Sequence, residues 1–281
     1  MLRLSHLRKA FGSLIAVDDL SLEVPRGEVF GLLGPNGAGK STSINMSVGL
    51  LAPDSGSVEI EGHGNPSDPK VRGAIGIAPQ SLAHYEELTG EENLSFFGQV
   101  YGLGGSRLRE RTNAVLEMIG LTEKRRDRVK TYSGGMKRRL NLGAALLHDP
   151  PVIMLDEPTA GVDPQSRNNI LEMVQRLASE GKTIIYTTHY MEEAAKVCHR
   201  IAIMDRGKIL AMGTLEKLLA SHGGKSIVTV MRNGAEQRIE TAEPLAEAAR
   251  QMSGGGVEGL RIDRPDLEAV FLSLTGRRLR D

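Results

Sequence analysis

Cysteine is almost missing from this chain: Cys198 stands alone, so no internal disulfide can form. An excess of charge is missing too, since Lys plus Arg and Asp plus Glu each total 35 and the formal net charge is zero. A balanced chain has no general electrostatic pull toward a polyphosphate backbone, which argues against a generic DNA or RNA binder. No apolar run approaches the roughly 18–20 residues that a membrane-spanning helix needs. A membrane role therefore calls for a partner. The first residues lack the charged, apolar and small-residue pattern of a secretory signal, and a reducing cytosolic setting is expected. The seven histidines show no metal-ligand spacing, and no internal repeat is visible. The 281 residues suffice for two domains, or for one large domain with an appendage, and for a full core.

One stretch organises what is there. Gly34-Pro35-Asn36-Gly37-Ala38-Gly39-Lys40-Ser41-Thr42 fits the P-loop pattern without exception. A short buried strand, residues 28–33, precedes it, and a helix is expected over residues 41–51. The glycines let backbone N–H groups and a helix N-terminus converge on one anion. Lys40 supplies charge for β- and γ-phosphates, and Ser41 a hydroxyl for Mg²⁺.

Around this stretch, short extended apolar runs over residues 2–24 indicate an antiparallel strand layer. Strands are expected at 57–61 and 74–78, the latter ending at Pro79-Gln80. Thr89 with Glu92 forms a capping box opening a helix to about Val100, and a second helix is expected over 107–119. The run Lys124-Arg125-Arg126-Asp127-Arg128-Val129-Lys130 reads as a solvated loop, with contact to anionic lipid or nucleic acid as the less favoured alternative. Strands return at 152–155 and 183–187, with a helix between them opened by Asp163-Pro164. A helix at 191–198 and strands at 201–204 and 208–212 follow. Such alternation indicates a mostly parallel α/β sheet. A boundary is expected near residues 221–224, and beyond it Asn233-Gly234 signals a hairpin within a small ββαβα appendage. Cys198 reads as a buried structural thiol and the methionines as core filler.

Val152-Ile153-Met154-Leu155-Asp156-Glu157 has the form of a Walker B strand. Asp156 at its end reaches Mg²⁺ through water, and Glu157 can polarise the water that attacks the γ-phosphate.

Tyr132-Ser133-Gly134-Gly135-Met136, about twenty residues earlier, resembles the signature sequence of ABC ATPases. The resemblance covers residues 1–212. It implies a P-loop NTPase fold of the ABC ATPase type: an antiparallel β subdomain, a helical insert at about 82–148 and, here, a small α+β C-terminal appendage. The expected domains are 1–220 and 225–281. Ser133, Gly134 and Gly135 would close on ATP held by a second copy in a head-to-tail dimer, with Asp163 in the loop that crosses between copies. Gln80 would contact Mg²⁺ and water and report nucleotide state to the insert. His189 would contact the γ-phosphate and hold Glu157 in register. Phe11 matches the aromatic position that stacks on adenine, although a core aromatic fits the residue equally well.

The signature variant, Tyr132 to Arg139, and the ending Leu267-Glu268-Ala269-Val270-Phe271-Leu272-Ser273-Leu274-Thr275-Gly276-Arg277 look like the ATPases of drug and antibiotic exporters of the daunorubicin-resistance type. The expectation is an ATP-hydrolysing subunit with Mg²⁺ as cofactor. It would sit at the cytoplasmic face of the membrane through a permease on a separate chain, with no nucleic-acid partner. The segment around residues 81–88 would receive a cytoplasmic helix of that permease. Two alternatives remain: a soluble ABC ATPase acting on nucleic acid or ribosomes, and an importer ATPase. The long coiled coil or second cassette of the soluble relatives is missing, and the appendage is smaller than that of sugar-importer relatives.

Overall fold

In the computed structural model, which describes residues 1–277, β1 (Leu2–Phe11) and β2 (Leu14–Val24) turn Leu2, Leu4, Leu7, Val17, Leu20, Leu22 and Val24 into the interior. Their other faces carry mostly charged and polar side chains, with Phe11, Leu14 and Ile15 exposed near the turn that joins the two strands. The chain then enters β3 (Val29–Leu33), fully buried, and α1 (Lys40–Ser47). β4 (Ser55–Ile60) pairs with β1, and β1 with β2, both antiparallel, giving the expected antiparallel layer.

The helix after the P-loop is shorter than expected. It ends at Ser47 because Gly49 has φ +72° and lies so close to Pro66 that a Cβ would fall 2.2 Å from that residue's carbonyl oxygen. A short helix that the sequence reading omits, α2 (Pro69–Arg72), leads into β5 (Ile75–Ala78). Three helices form the insert: α3 (Gly90–Val100), α4 (Gly105–Met118) and α5 (Gly134–Leu146). The Thr89–Glu92 capping box is made in both directions, with Thr89 N–H donating to Glu92 Oε2 at 2.8 Å and Glu92 N–H to Thr89 Oγ1 at 3.2 Å.

The sheet resumes with β6 (Val152–Asp156), α6 (Pro164–Ser179), β7 (Thr183–Thr188), α7 (Met191–Val197), β8 (Arg200–Asp205) and β9 (Lys208–Gly213). Strand order is β5-β6-β7-β3-β8-β9, and the pairings from β5 through to β8 are parallel. β3, β6 and β7 are buried on both faces, and their residues alternate between two cores. Ile153, Leu155, Ile184 and Tyr186 face the insert and α6 side. Val152, Met154, Ile185, Phe30 and Leu32 join the core shared with the antiparallel layer. Each such aliphatic side chain contributes about 1.5–3 kcal/mol on burial. Because these strands run parallel, they end at one edge of the sheet: Ala78, Leu155 and Asp156, Thr188 and Leu33 are in register there. Loops leaving that edge are where open α/β sheets hold ligands.

Two compact units divide the chain, Met1–Met212 and a second beginning at Gly213. The second opens with α8 (Leu215–His222), a helix the sequence reading misses, whose Thr214 cap accepts from Lys217 N–H. β10 (Ser226–Arg232) and β11 (Ala235–Thr241) form the hairpin expected at Asn233-Gly234, both turn residues having positive φ. α9 (Pro244–Ser253), β12 (Gly259–Asp263) and α10 (Leu267–Thr275) complete it. The sheet order is β11-β10-β12, and Val228, Val230 and Ala248 are at its centre. Residues 278–281 of the expected appendage lie outside the described residues.

Candidate functional site

The loop between β3 and α1 is built for close approach. Gly39 adopts φ +103°, and a Cβ there would sit 2.3 Å from the Ala16 carbonyl oxygen. Gly34 packs as closely on Met204, and Ala38 is buried. Several helices in this unit carry side-chain caps, such as Ser133 on α5 through Met136 N–H and Asp163 on α6 through Ser166 N–H, while α4 and α7 do not. α1 has none either. Its N-terminus is left to receive an anion.

A cavity of about 730 Å³ opens over this loop. Asn36, Gly37, Gly39, Lys40, Ser41 and Thr42 line one part of it, and Gln80 and Glu157 another. Phe11, Leu14, Ile15 and Ala16 form an apolar end. Phe11 is 51% exposed, which removes the core-aromatic reading. The volume falls within the range of small-molecule sites, and the loop, charge and apolar platform follow the layout of a nucleoside triphosphate.

Glu157 is the meeting point of the expected catalytic residues. Its carboxylate takes Lys40 Nζ at 3.1 Å on Oε1, while Gln80 Nε2 donates to Oε2 at 3.1 Å and His189 Nδ1 lies 3.2 Å from that same atom. Lys40 also donates to the Gly34 and Pro35 carbonyls, at 2.8 and 3.1 Å. Three segments of the sheet edge thus deliver their polar residues to the one carboxylate that follows β6. Glu157 is buried and has φ +46°, a conformation that costs a non-glycine residue about 1–2 kcal/mol. Such strain is held only where neighbours over-determine it.

Thr187 supplies part of that hold, and the sequence reading does not identify it. Its Oγ1 donates to Asp156 Oδ1 at 2.6 Å and accepts from Glu157 N–H at 3.0 Å. One hydroxyl therefore orients both acids. Arg138 is a second unidentified residue. It donates to the Ala160 carbonyl at 3.2 Å and to the Gln80 carbonyl, tying the two loops, and burial lowers its pKa from the usual guanidinium value. Arg206, in the β8–β9 turn, lines the cavity, and Gly207 N–H beside it donates to the Ala38 carbonyl at 2.9 Å. No sequence pattern marks these three.

Ser133, Gly134, Gly135 and Asp163 do not line the cavity. They group elsewhere: Gly135 packs against α6, where a Cβ would lie 2.1 Å from Ser166 Oγ. Hydrogen bonds from Ser166 hold the Asp163 carboxyl below the usual carboxylate range.

The basic run is largely neutralised. Arg125 makes two hydrogen bonds to Glu91, Arg128 and Lys130 pair with Glu87, and Lys124 pairs with Asp127. Cys198 is half-buried as a residue, but its Sγ packs against Gly31 and burial pushes its thiol pKa well up, in keeping with a structural thiol.

The ABC transporter family matches residues 17–160. The linearmycin resistance ATP-binding protein of Bacillus subtilis is 42% identical over the whole of both chains. The daunorubicin resistance ATP-binding protein of Streptomyces coeruleorubidus is 38% identical, covering 97% of this chain and 96% of its own. A dimeric ATP-binding cassette solved with ADP and Pi superposes with a TM-score of 0.69 at 26% identity, over 76% of this chain and 99% of that one. With the P-loop, the acid pair and the parallel sheet edge in place, the chain belongs to the ABC transporter family, as an ATP-binding subunit with ATPase activity.

Proposed function

We propose that this chain drives the export of a drug-like or lipid-like compound through a permease on a separate polypeptide, working as a head-to-tail homodimer at the cytoplasmic face of the membrane. The observation that carries this reading is the end-to-end similarity to two drug-resistance ATP-binding proteins. The solved cassette covers only about the share of the chain that Met1–Met212 makes up. The second unit is thus a feature in common with resistance proteins.

Among the described residues no helix is long and apolar enough to cross a membrane. An exposed apolar group on the insert supports docking of a permease helix: Leu82, Tyr85, Phe96 and Val100, with Tyr85 and Phe96 edge to face at 4.9 Å. Neutralisation of the basic run weighs against nucleic acid.

In hydrolysis, Glu157 would polarise the attacking water and His189 would hold Glu157 and the γ-phosphate in register. Lys40 would leave Glu157 for the phosphates. Ser133 and the N–H groups of Gly134 and Gly135, brought by the second copy, would complete the phosphate site. Mg²⁺ suits this donor set, in which the Ser41 hydroxyl, the Gln80 amide oxygen and Asp156 are all hard oxygens. No group of three or more His, Cys, Asp or Glu among the described residues could hold a metal, so the ion would depend on the phosphates. When bound it would neutralise charge on the β- and γ-phosphates.

The test is a mild-detergent pull-down of the tagged chain carrying Glu157→Gln, with ATP present. A multi-span membrane protein is expected to copurify. Recovery of ribosomes or nucleic acid, or no membrane partner, would overturn the exporter reading and leave the ATPase.

A further inference from the structure

Glu193, four residues after His189 on α7, is 2% exposed yet touches neither P-loop nor cavity. Its carboxylate is saturated with donors. Oε1 accepts from Thr159 Oγ1 at 2.7 Å, with Arg167 Nε 3.3 Å away. Oε2 accepts from the Tyr186 hydroxyl and from Thr188 Oγ1, each at 2.9 Å. A buried carboxylate is tolerated only with such compensation.

What those donors belong to gives the cluster its meaning. Thr159 stands two residues after Glu157, in the loop that runs on to Asp163. Arg167 lies in the first turn of α6, behind Asp163, and its guanidinium sits 4.5 Å over the Tyr190 ring. Tyr186 and Thr188 close β7, Thr188 directly before His189. Thr188 Oγ1 also accepts from Tyr190 N–H at 2.9 Å, so the backbone on both sides of His189 is fixed to the cluster. Burial and the Glu193 charge push the Tyr186 phenol well above its ordinary pKa, which keeps it a donor.

We propose that Glu193 is a positioning residue for ATP hydrolysis: it clamps the segment after Glu157 to the segment carrying His189 and so sets the spacing of those two side chains. This rests on the reading that Glu157 and His189 act in hydrolysis. The lever is short at both ends, two residues to Glu157 through Thr159 and one to His189 through Thr188. The carboxylate is needed because it alone can accept from three hydroxyls while pairing with the charge of an arginine. An amide would turn one acceptor into a donor aimed at donors.

The test compares Glu193→Gln with the unaltered full chain in steady-state ATP hydrolysis. Loss of a partner that orients site residues commonly costs about 10- to 100-fold in activity. A fall of that size in kcat is expected, with KM for ATP unchanged because the phosphate loop and base platform are untouched. A double variant separates positioning from a general loss of structure. If Glu193 acts through His189, Glu193→Gln combined with His189→Ala is no slower than His189→Ala alone, whereas independent damage multiplies. Should Glu193→Gln fail to fold, Thr159→Val severs one arm of the clamp and is expected to lower kcat with KM retained. Wild-type kcat in the foldable variant, or multiplicative effects in the pair, overturns the proposal. Turnover retained in both Glu157→Gln and His189→Ala would instead overturn the reading beneath it.

Discussion

Lys40 Nζ rests 3.1 Å from Glu157 Oε1, and both side chains are almost wholly buried. The residue that would hold phosphate and the residue that would polarise water are therefore each other's counter-ions. Phosphate at the P-loop would compete with Glu157 for Lys40, and a carboxylate so released would be available to water. Glu157→Gln weakens the pair without removing the side chain. ATP affinity in that variant is expected to hold or rise, while turnover falls about 10²- to 10⁴-fold, the usual worth of a general base. Nucleotide-binding titration beside single-turnover hydrolysis checks both halves; hydrolysis at the normal rate would refute the role given to Glu157.

Gly39→Ala should fail in a different way. The new methyl would meet the Ala16 carbonyl oxygen at 2.3 Å and Met204 Cε at 2.8 Å, in a backbone at φ +103°. Strain and overpacking together cost about 2–5 kcal/mol, a drop in Tm on the order of 10 °C for a chain of this size. Thermal melting with and without ATP should show the drop and no rescue by nucleotide. An unchanged melt that still shifts with ATP would mean the loop is looser than its contacts imply.

How far this site can be read from sequence depends on what each residue signals. Gln80, Asp156, Glu157 and His189 each follow a short apolar run, and a parallel sheet carries the ends of such runs to one edge. Their convergence is thus legible once the strands are. Thr187 and Glu193 are not legible: a threonine inside a strand, or a glutamate on a helix, matches its element's ordinary composition. Their partners, from Thr159 to Arg167, are brought together by the fold and by no spacing in the chain. α8 is a different case. Thr214 is a sound helix cap ahead of Leu215, Leu218 and Leu219, but the nearby Gly223-Gly224 signals a boundary more strongly than a helix. The early end of α1 depends on Pro66, seventeen residues beyond Gly49, which no local pattern could announce.

Phe11 is expected to act on binding alone. It is half exposed at the apolar end of the cavity, with Lys9 Nζ 5.8 Å from its ring centroid. Stacking of a base on an aromatic ring contributes about 1–3 kcal/mol, so Phe11→Ala should raise KM for ATP about 5- to 150-fold with kcat little changed. Phe11→Tyr should retain the wild-type KM because it keeps the face. Equal KM values for all three proteins would place the adenine elsewhere.

Acid should weaken the fold first through two histidines. His84 Nε2 lies 2.8 Å from the Lys137 carbonyl and His148 Nε2 3.0 Å from the Ile75 carbonyl. A carbonyl only accepts, so each Nε2 carries the proton. Each Nδ1 is buried with no partner for a second one. Burial lowers both pKa values from 6.5, against the opposing hydrogen bonds to the Lys137 and Ile75 carbonyls; the charges of Lys137 and Arg138 add to the lowering at His84, with Glu86 opposing, and those of Arg111 and Lys182 add to it at His148, with Asp149 opposing. Below about pH 6.5 the unfolded chain takes up protons that the folded one refuses, so stability rises with pH across that window and is lost as pH falls toward the folded values. Carboxylates whose pKa is lowered, such as Glu61 and Asp54, keep their contribution across this window and lose it only at more acid pH. Urea unfolding at about pH 7.5 and about pH 5.5 should give a lower midpoint at the acid value. The double variant His84→Gln, His148→Gln should start lower but decline less between the two, because no imidazole is left to charge. An equal decline in the variant would assign the acid sensitivity to groups other than these.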